Sequence, residues 1–111
     1  DTFGLRITGP DGQVIAYSGD TAPCDELIDL AADADLFLCE ASWTHAPSER
    51  PPDLHMSGIE AGEAATKANV RTLAITHVAP WSDSAEILAE ARSTFSGPTE
   101  LVSQGQVFDL T

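Results

Sequence analysis

The sequence predicts an α/β domain: a mixed sheet with three helices on one face. Three observations predict it. First, short apolar runs at residues 14–17, 36–39 and 73–76 read as buried strands. Second, stretches with helical spacing follow each run. Third, each run leads into a residue able to do chemistry at its carboxyl end: Asp20, Glu40 and His77. If the three strands are parallel, these side chains lie along one sheet edge, where open α/β sheets place their ligands.

The elements follow in order. Residues 3–8 alternate loosely and read as a strand, and Gly9-Pro10-Asp11-Gly12 is a strong turn signal, so the first two strands form a hairpin. Ser18-Gly19-Asp20-Thr21 is a loop, after which Pro23 opens a helix of about ten residues containing Leu27, Ile28, Leu30 and Ala31. Residues 35–40 form the next strand. Residues 41–56 make a long loop carrying Trp43, His45, His55 and the prolines Pro47, Pro51 and Pro52; inside a small domain a loop of that length is usually functional or mobile.

Ser57 and Glu60 fit a capping box, in which each side chain satisfies a free amide at the helix start. Ala61, Ala64, Ala65 and Ala68 then give a narrow face suited to close packing on a sheet, and Asn69 ends the helix. Residues 71–76 form the third parallel strand. Asp83 caps the last helix, whose buried face is Ile87, Leu88, Ala91 and Phe95, and Gly97-Pro98 stops it. Residues 99–103 and 106–110 read as two final short strands.

Crossovers between parallel strands are right-handed, so a sheet that grows in one direction carries all its helices on one face. The strand cores are nevertheless apolar at both parities: Leu36 and Leu38 alternate with Phe37 and Cys39. Such strands expect cover on both faces, so a layer is missing.

Length allows one domain of 111 residues. Eighteen acids stand against five Lys and Arg, a net charge of −13. That argues against binding nucleic acid or an anionic membrane through a basic surface, because neutralising phosphates requires Lys and Arg. Cys24 and Cys39 lack metal-type spacing and read as buried free thiols. No signal peptide or run of transmembrane length is present in the sequence, so a cytoplasmic location is expected. The start at Asp1, without Met, suggests that the chain begins inside a longer protein.

Singly, the chemical candidates have structural explanations: Asp20 as a turn residue, Glu40 as a loop anchor, His77 as a packed histidine, and His55 as a residue preceding a helix. Together they suggest part of a metal-hydrolase site. Carboxylate and imidazole suit Zn²⁺, and two metals about 4 Å apart activate water for phosphodiester cleavage. Asp20 and His77 supply only two candidate ligands, fewer than a catalytic zinc site needs.

Ser-Gly-Asp-Thr at 18–21, Leu-Cys-Glu-Ala-Ser at 38–42, His55-Met56-Ser57 and Ile75-Thr76-His77 resemble, in order and spacing, the later motifs of metallo-β-lactamase-fold hydrolases of the ribonuclease Z branch. The resemblance is closest to bacterial atypical cyclic-nucleotide phosphodiesterases, which share the Phe-Gly-Leu-Arg-Ile opening and the Cys-Glu-Ala-Ser-Trp-Thr-His and Pro-Pro-Asp-Leu-His stretches. It implies that residues 1–111 are the C-terminal half of an αββα sandwich, with the N-terminal half absent. It implies Asp20 and His77 as ligands in a two-zinc site, open also to Mn²⁺ or Fe²⁺. His55 and Glu40 become the catalytic pair that protonates the leaving oxygen, and Thr21 and Ser57 become substrate-binding residues. The family's His-x-His-x-Asp-His motif is missing, so the isolated chain is expected to be inactive and to pair with its own N-terminal half or with a second copy, as a homo-oligomer.

The expected function is zinc-dependent phosphodiester hydrolysis on a small substrate, cyclic nucleotides first. A tRNA 3′-end endonuclease is the alternative, disfavoured by charge. A non-catalytic fragment that dimerises or binds a complementary half is the reading from a different class.

Overall fold

A computed structural model describes residues 4–19, 23–42, 56–76, 78 and 82–110. The elements are β1 (Leu5–Thr8), β2 (Val14–Tyr17), α1 (Asp25–Ala31), β3 (Leu36–Glu40), α2 (Gly58–Ala68), β4 (Thr72–Thr76), α3 (Ser84–Thr94) and β5 (Thr99–Leu101). Spatial order follows chain order, β1-β2-β3-β4-β5. β1 and β2 form the expected antiparallel hairpin, closed by Gly9 N–H on Gln13 O at 2.7 Å. The remaining pairings are parallel.

Register separates the two sheet faces. Ala16, Phe37 and Leu73 stand side by side, as do Cys39 and Ile75. All five are buried in one core with Leu27 and Ala31 of α1, Ala61, Ala64, Ala65 and Ala68 of α2, and Ile87 and Ala91 of α3. The three helices therefore share one face, as right-handed crossovers require. The opposite face carries the rows Leu5–Tyr17–Leu38–Ala74 and Ile7–Ile15–Leu36–Thr72. This face is apolar, yet Leu5 and Ile7 remain 56% and 57% exposed on it.

Helix ends are fixed by identifiable groups. The Ser57 hydroxyl accepts from Glu60 N–H at 3.2 Å, and Glu60 Oε1 accepts from Ser57 N–H at 2.9 Å, completing the capping box. Asp83 Oδ1 accepts from the N–H groups of Ala85 and Glu86 at the start of α3. Asn69 closes α2 in the left-handed conformation, φ 58°, and donates to Asp33, itself at φ 57°.

Three expectations need correction. α1 spans 7 residues and starts at Asp25, not at Pro23. Its end is set by tertiary contact: the Arg6 guanidinium of β1 donates to Leu30 O at 2.7 Å and Ala32 O at 3.0 Å. Residues 106–110 are not a strand. They alternate half-buried and exposed positions, which produces the strand-like pattern, but among the described residues no ladder partner faces them. Cys24 is exposed rather than buried, because it occupies the N-cap of α1 outside the core. Cys39 is buried as expected.

α2 and α3 approach each other through Gly58 and Gly62. A Cβ on Gly62 would fall 2.5 Å from the backbone oxygen of Ala91 and collide with the Thr94 hydroxyl. Alanine is the better helix former by about 1 kcal/mol, but here the neighbouring backbone would have to move. Gly62→Ala is expected to destabilise the domain by about 1–3 kcal/mol, read as a lowered urea midpoint. A raised midpoint would mean that the helix pair yields without loss.

Candidate functional site at the carboxyl edge of the sheet

The parallel register sets Tyr17 beside Leu38, and Glu40 beside Thr76. The carboxyl ends of β2, β3 and β4 are thus neighbours. Glu40 is the last residue of β3, Asp20 lies three residues beyond β2, and His77 follows β4 directly. Of the site residues predicted from sequence, Glu40 and Ser57 are described; Asp20, Thr21, His55 and His77 lie outside the described residues.

Glu40 is fully buried and shares its face with Leu36 and Leu38, away from the helices. A buried carboxylate is tolerable only when hydrogen-bonded. The Ser42 hydroxyl donates to Glu40 Oε2 at 2.6 Å, a separation typical of an O–H···O⁻ bond. The backbone N–H of Glu40 donates to Ser18 Oγ at 3.0 Å, and Ser18 Oγ donates to Gly19 O at 2.7 Å. Gly19 has φ 64°, a conformation open to glycine, and it turns the chain out of β2 immediately before Asp20.

The same edge is tied to the helix entries. Ala41 N–H donates to Thr76 O at 3.1 Å, and Ser42 N–H to Met56 O at 3.0 Å. The Ser82 hydroxyl donates to Ser42 O at 2.9 Å. One network therefore joins the segments that carry Asp20, Glu40, His55 and His77. Sequence reasoning missed Ser18, Ser42 and Ser82 as its connectors, because a serine's partners are set by which segments fold against it.

Two further titratable groups have other roles. Burial pushes the Cys39 thiol well above its ordinary pKa, and the adjacent Glu40 charge adds to this against a lowering hydrogen bond from Ser18. Burial therefore favours the neutral thiol, and Cys39 lies in the core on the helix side of the sheet. Asp35 sits at the opposite end of the sheet, where it accepts from Val14 N–H at 2.8 Å and pairs with Arg71 at 3.2 Å. Its carboxyl is held below the usual range by the Val14 hydrogen bond first and Arg71 second. It staples the starts of β2, β3 and β4.

Ser57 is buried at the N-cap of α2, its hydroxyl accepting from Glu60. Among the described residues, no group of three His, Cys, Asp or Glu side chains is placed to hold a metal ion. Asp20 and His77 carry donors of the right chemistry for zinc, oxygen and imidazole nitrogen. Two such ligands make part of a site.

A five-stranded mixed sheet with three helices on one face matches part of a metallo-β-lactamase fold. The chain belongs to the β-lactamase superfamily: the β-lactamase superfamily domain matches residues 1–78. A Mycobacterium leprae protein, named only as uncharacterised, is 53% identical over 110 residues, covering 99% of this chain and 38% of that protein. Ribonuclease Z of Haloferax volcanii is 31% identical over 102 residues, 89% of this chain and 32% of the enzyme. The metallo-β-lactamase fold protein YhfI of Bacillus subtilis superposes with a TM-score of 0.81 at 24% identity, over 97% of this chain and 49% of that one. The chain spans 38% of the length of its Mycobacterium leprae relative and 40% of its Mycobacterium bovis relative. No helix among the described residues is long and apolar enough to cross a membrane.

Proposed function

We propose that this chain forms the carboxyl-terminal part of a metal-dependent phosphodiesterase acting in the cytoplasm on small diesters, cyclic nucleotides first. The observation that carries this reading is the buried, hydrogen-bonded Glu40 at the shared carboxyl edge of β2, β3 and β4. Asp20 and His77 would hold zinc, with the remaining ligands supplied by the protein's upstream part or by a second copy. Such an ion, when bound, supplies an activated water and charge stabilisation at the phosphate. Glu40 orients the His55 imidazole, and His55 delivers a proton to the leaving oxygen. Thr21 and Ser57 complete the substrate-binding side.

Asp20→Ala and His77→Ala in the full-length protein are each expected to lower bound metal, measured by elemental mass spectrometry after dialysis. Wild-type metal content in both variants would remove them as ligands.

A second reading, tRNA 3′-end cleavage, draws on the relatives named ribonuclease Z. The net charge of −13 weighs against it, because RNA binding needs phosphate-neutralising cations. Relative rates of the full-length protein on cAMP, bis(p-nitrophenyl) phosphate and precursor tRNA separate the two. Preference for precursor tRNA would replace the first reading with the second. No turnover of any diester, with a stable oligomer by light scattering, would favour the non-catalytic pairing module.

A further inference from the structure

We infer that Ser42 is a positioning residue of this site, acting through Glu40. The inference rests on the proposed role of Glu40. Ser42 is itself buried, 4% exposed, and among the described residues it makes three bonds that converge on the edge. Its hydroxyl donates to Glu40 Oε2 at 2.6 Å. Its N–H holds Met56 O, one residue after His55, and its carbonyl accepts from Ser82 at the entry to α3.

These bonds divide the work within one residue. The two backbone bonds tie the end of β3 to Met56, just before α2, and to Ser82, just before α3. The hydroxyl fixes the rotation of the carboxylate, because an acceptor oxygen held at 2.6 Å by a buried donor has one favoured direction. A buried carboxylate without that donor would turn toward whichever other donor is nearest. Among the described residues, Ser42→Ala leaves both backbone bonds in place and removes the hydroxyl's contact with the carboxylate. The substitution therefore acts on orientation while keeping the backbone ties.

The experiment uses full-length protein with cAMP as substrate. Ser42→Ala should lower kcat by about 10–100-fold, the usual loss when a supporting hydrogen bond is removed, with KM changed by less than about threefold. Ser42→Thr, which restores a hydroxyl, should recover activity to within about threefold of wild type. Ser42→Cys keeps the volume but has a weak donor, and should behave as alanine does. In a Glu40→Gln background, Ser42→Ala should cause no further loss, because its effect passes through that carboxylate. Wild-type kcat in Ser42→Ala, failure of threonine to rescue, or losses that multiply with Glu40→Gln would each overturn the inference.

A readout independent of turnover completes the test. The Glu40 carboxylate stretch is isolated as the infrared difference between ¹³C-glutamate-labelled wild type and Glu40→Gln. It should shift in Ser42→Ala and return in Ser42→Thr. An unshifted band overturns the inference even if activity falls. A shifted band in a protein that cleaves no diester supports the placement of the carboxylate while refuting the phosphodiesterase reading.

Discussion

Truncating Phe37 to alanine is expected to destabilise the domain by about 3–5 kcal/mol. Phe37 is fully buried on β3, the central strand, flanked in register by Ala16 and Leu73. The size of the effect depends on whether neighbours can collapse into the space. Here they cannot readily do so. The helix layer opposite includes Ala61, Ala64, Ala65 and Ala68, whose side chains are too short to reach inward. Moving α2 toward the sheet would drag it from α3, to which it is fitted through Gly58 and Gly62. The cavity therefore persists, and the loss is the transfer term plus the cavity term. Against a typical total stability of about 5–15 kcal/mol, the variant should unfold at a much lower urea concentration. Phe37→Leu, which leaves a smaller void, should lose clearly less. Equal losses in the two variants would mean that ring contacts, not volume, set the stability at this position.

The core was legible in the sequence because it is built from local signals. The apolar runs of β2, β3 and β4, the Ser57–Glu60 box and the Asp83 cap each depend on residues within a few positions of one another. One-sided helix placement then followed from crossover handedness. What escaped depends on partners distant in sequence. α1 ends where Arg6 reaches it, 24 residues away from Leu30. Residues 106–110 have a strand's alternation, but alternation does not specify a pairing partner. The tight Gly58–Gly62 contact is a property of two helices, and the alanine face drew attention to the sheet instead. At the site, Glu40 was legible from its place at a strand end and from the motif resemblance. Its buried state was not, since burial arises only when the β2, β3 and α2 segments meet; the bond to Ser42 spans two residues but depends on how the chain leaves β3. The positions of Asp20, Thr21, His55 and His77 lie outside the described residues, so the ligand assignment continues to rest on motif and strand order.

Replacing Glu40 by glutamine in the full-length protein should lower kcat on cAMP by about 10²–10⁴-fold, the range for loss of a positioned proton-transfer group. Glutamine keeps the shape and an oxygen that can accept from Ser42, so the network around residue 42 and the fold should persist. Asp20 and His77 are untouched, so bound metal should remain at the wild-type level. The amide lacks the negative charge that orients and supports a proton-donating imidazole, and the defect should therefore track the leaving group. The 3′-oxygen of a cyclic nucleotide is a poor leaving group and needs that proton. The p-nitrophenolate of bis(p-nitrophenyl) phosphate departs without it, so its hydrolysis should fall by less than about tenfold. A large loss on cAMP with a small loss on the nitrophenyl ester assigns Glu40 to leaving-group protonation. Equal large losses on both, with metal retained, would instead place its effect on a step common to the two substrates, the approach of water or the seating of the phosphate.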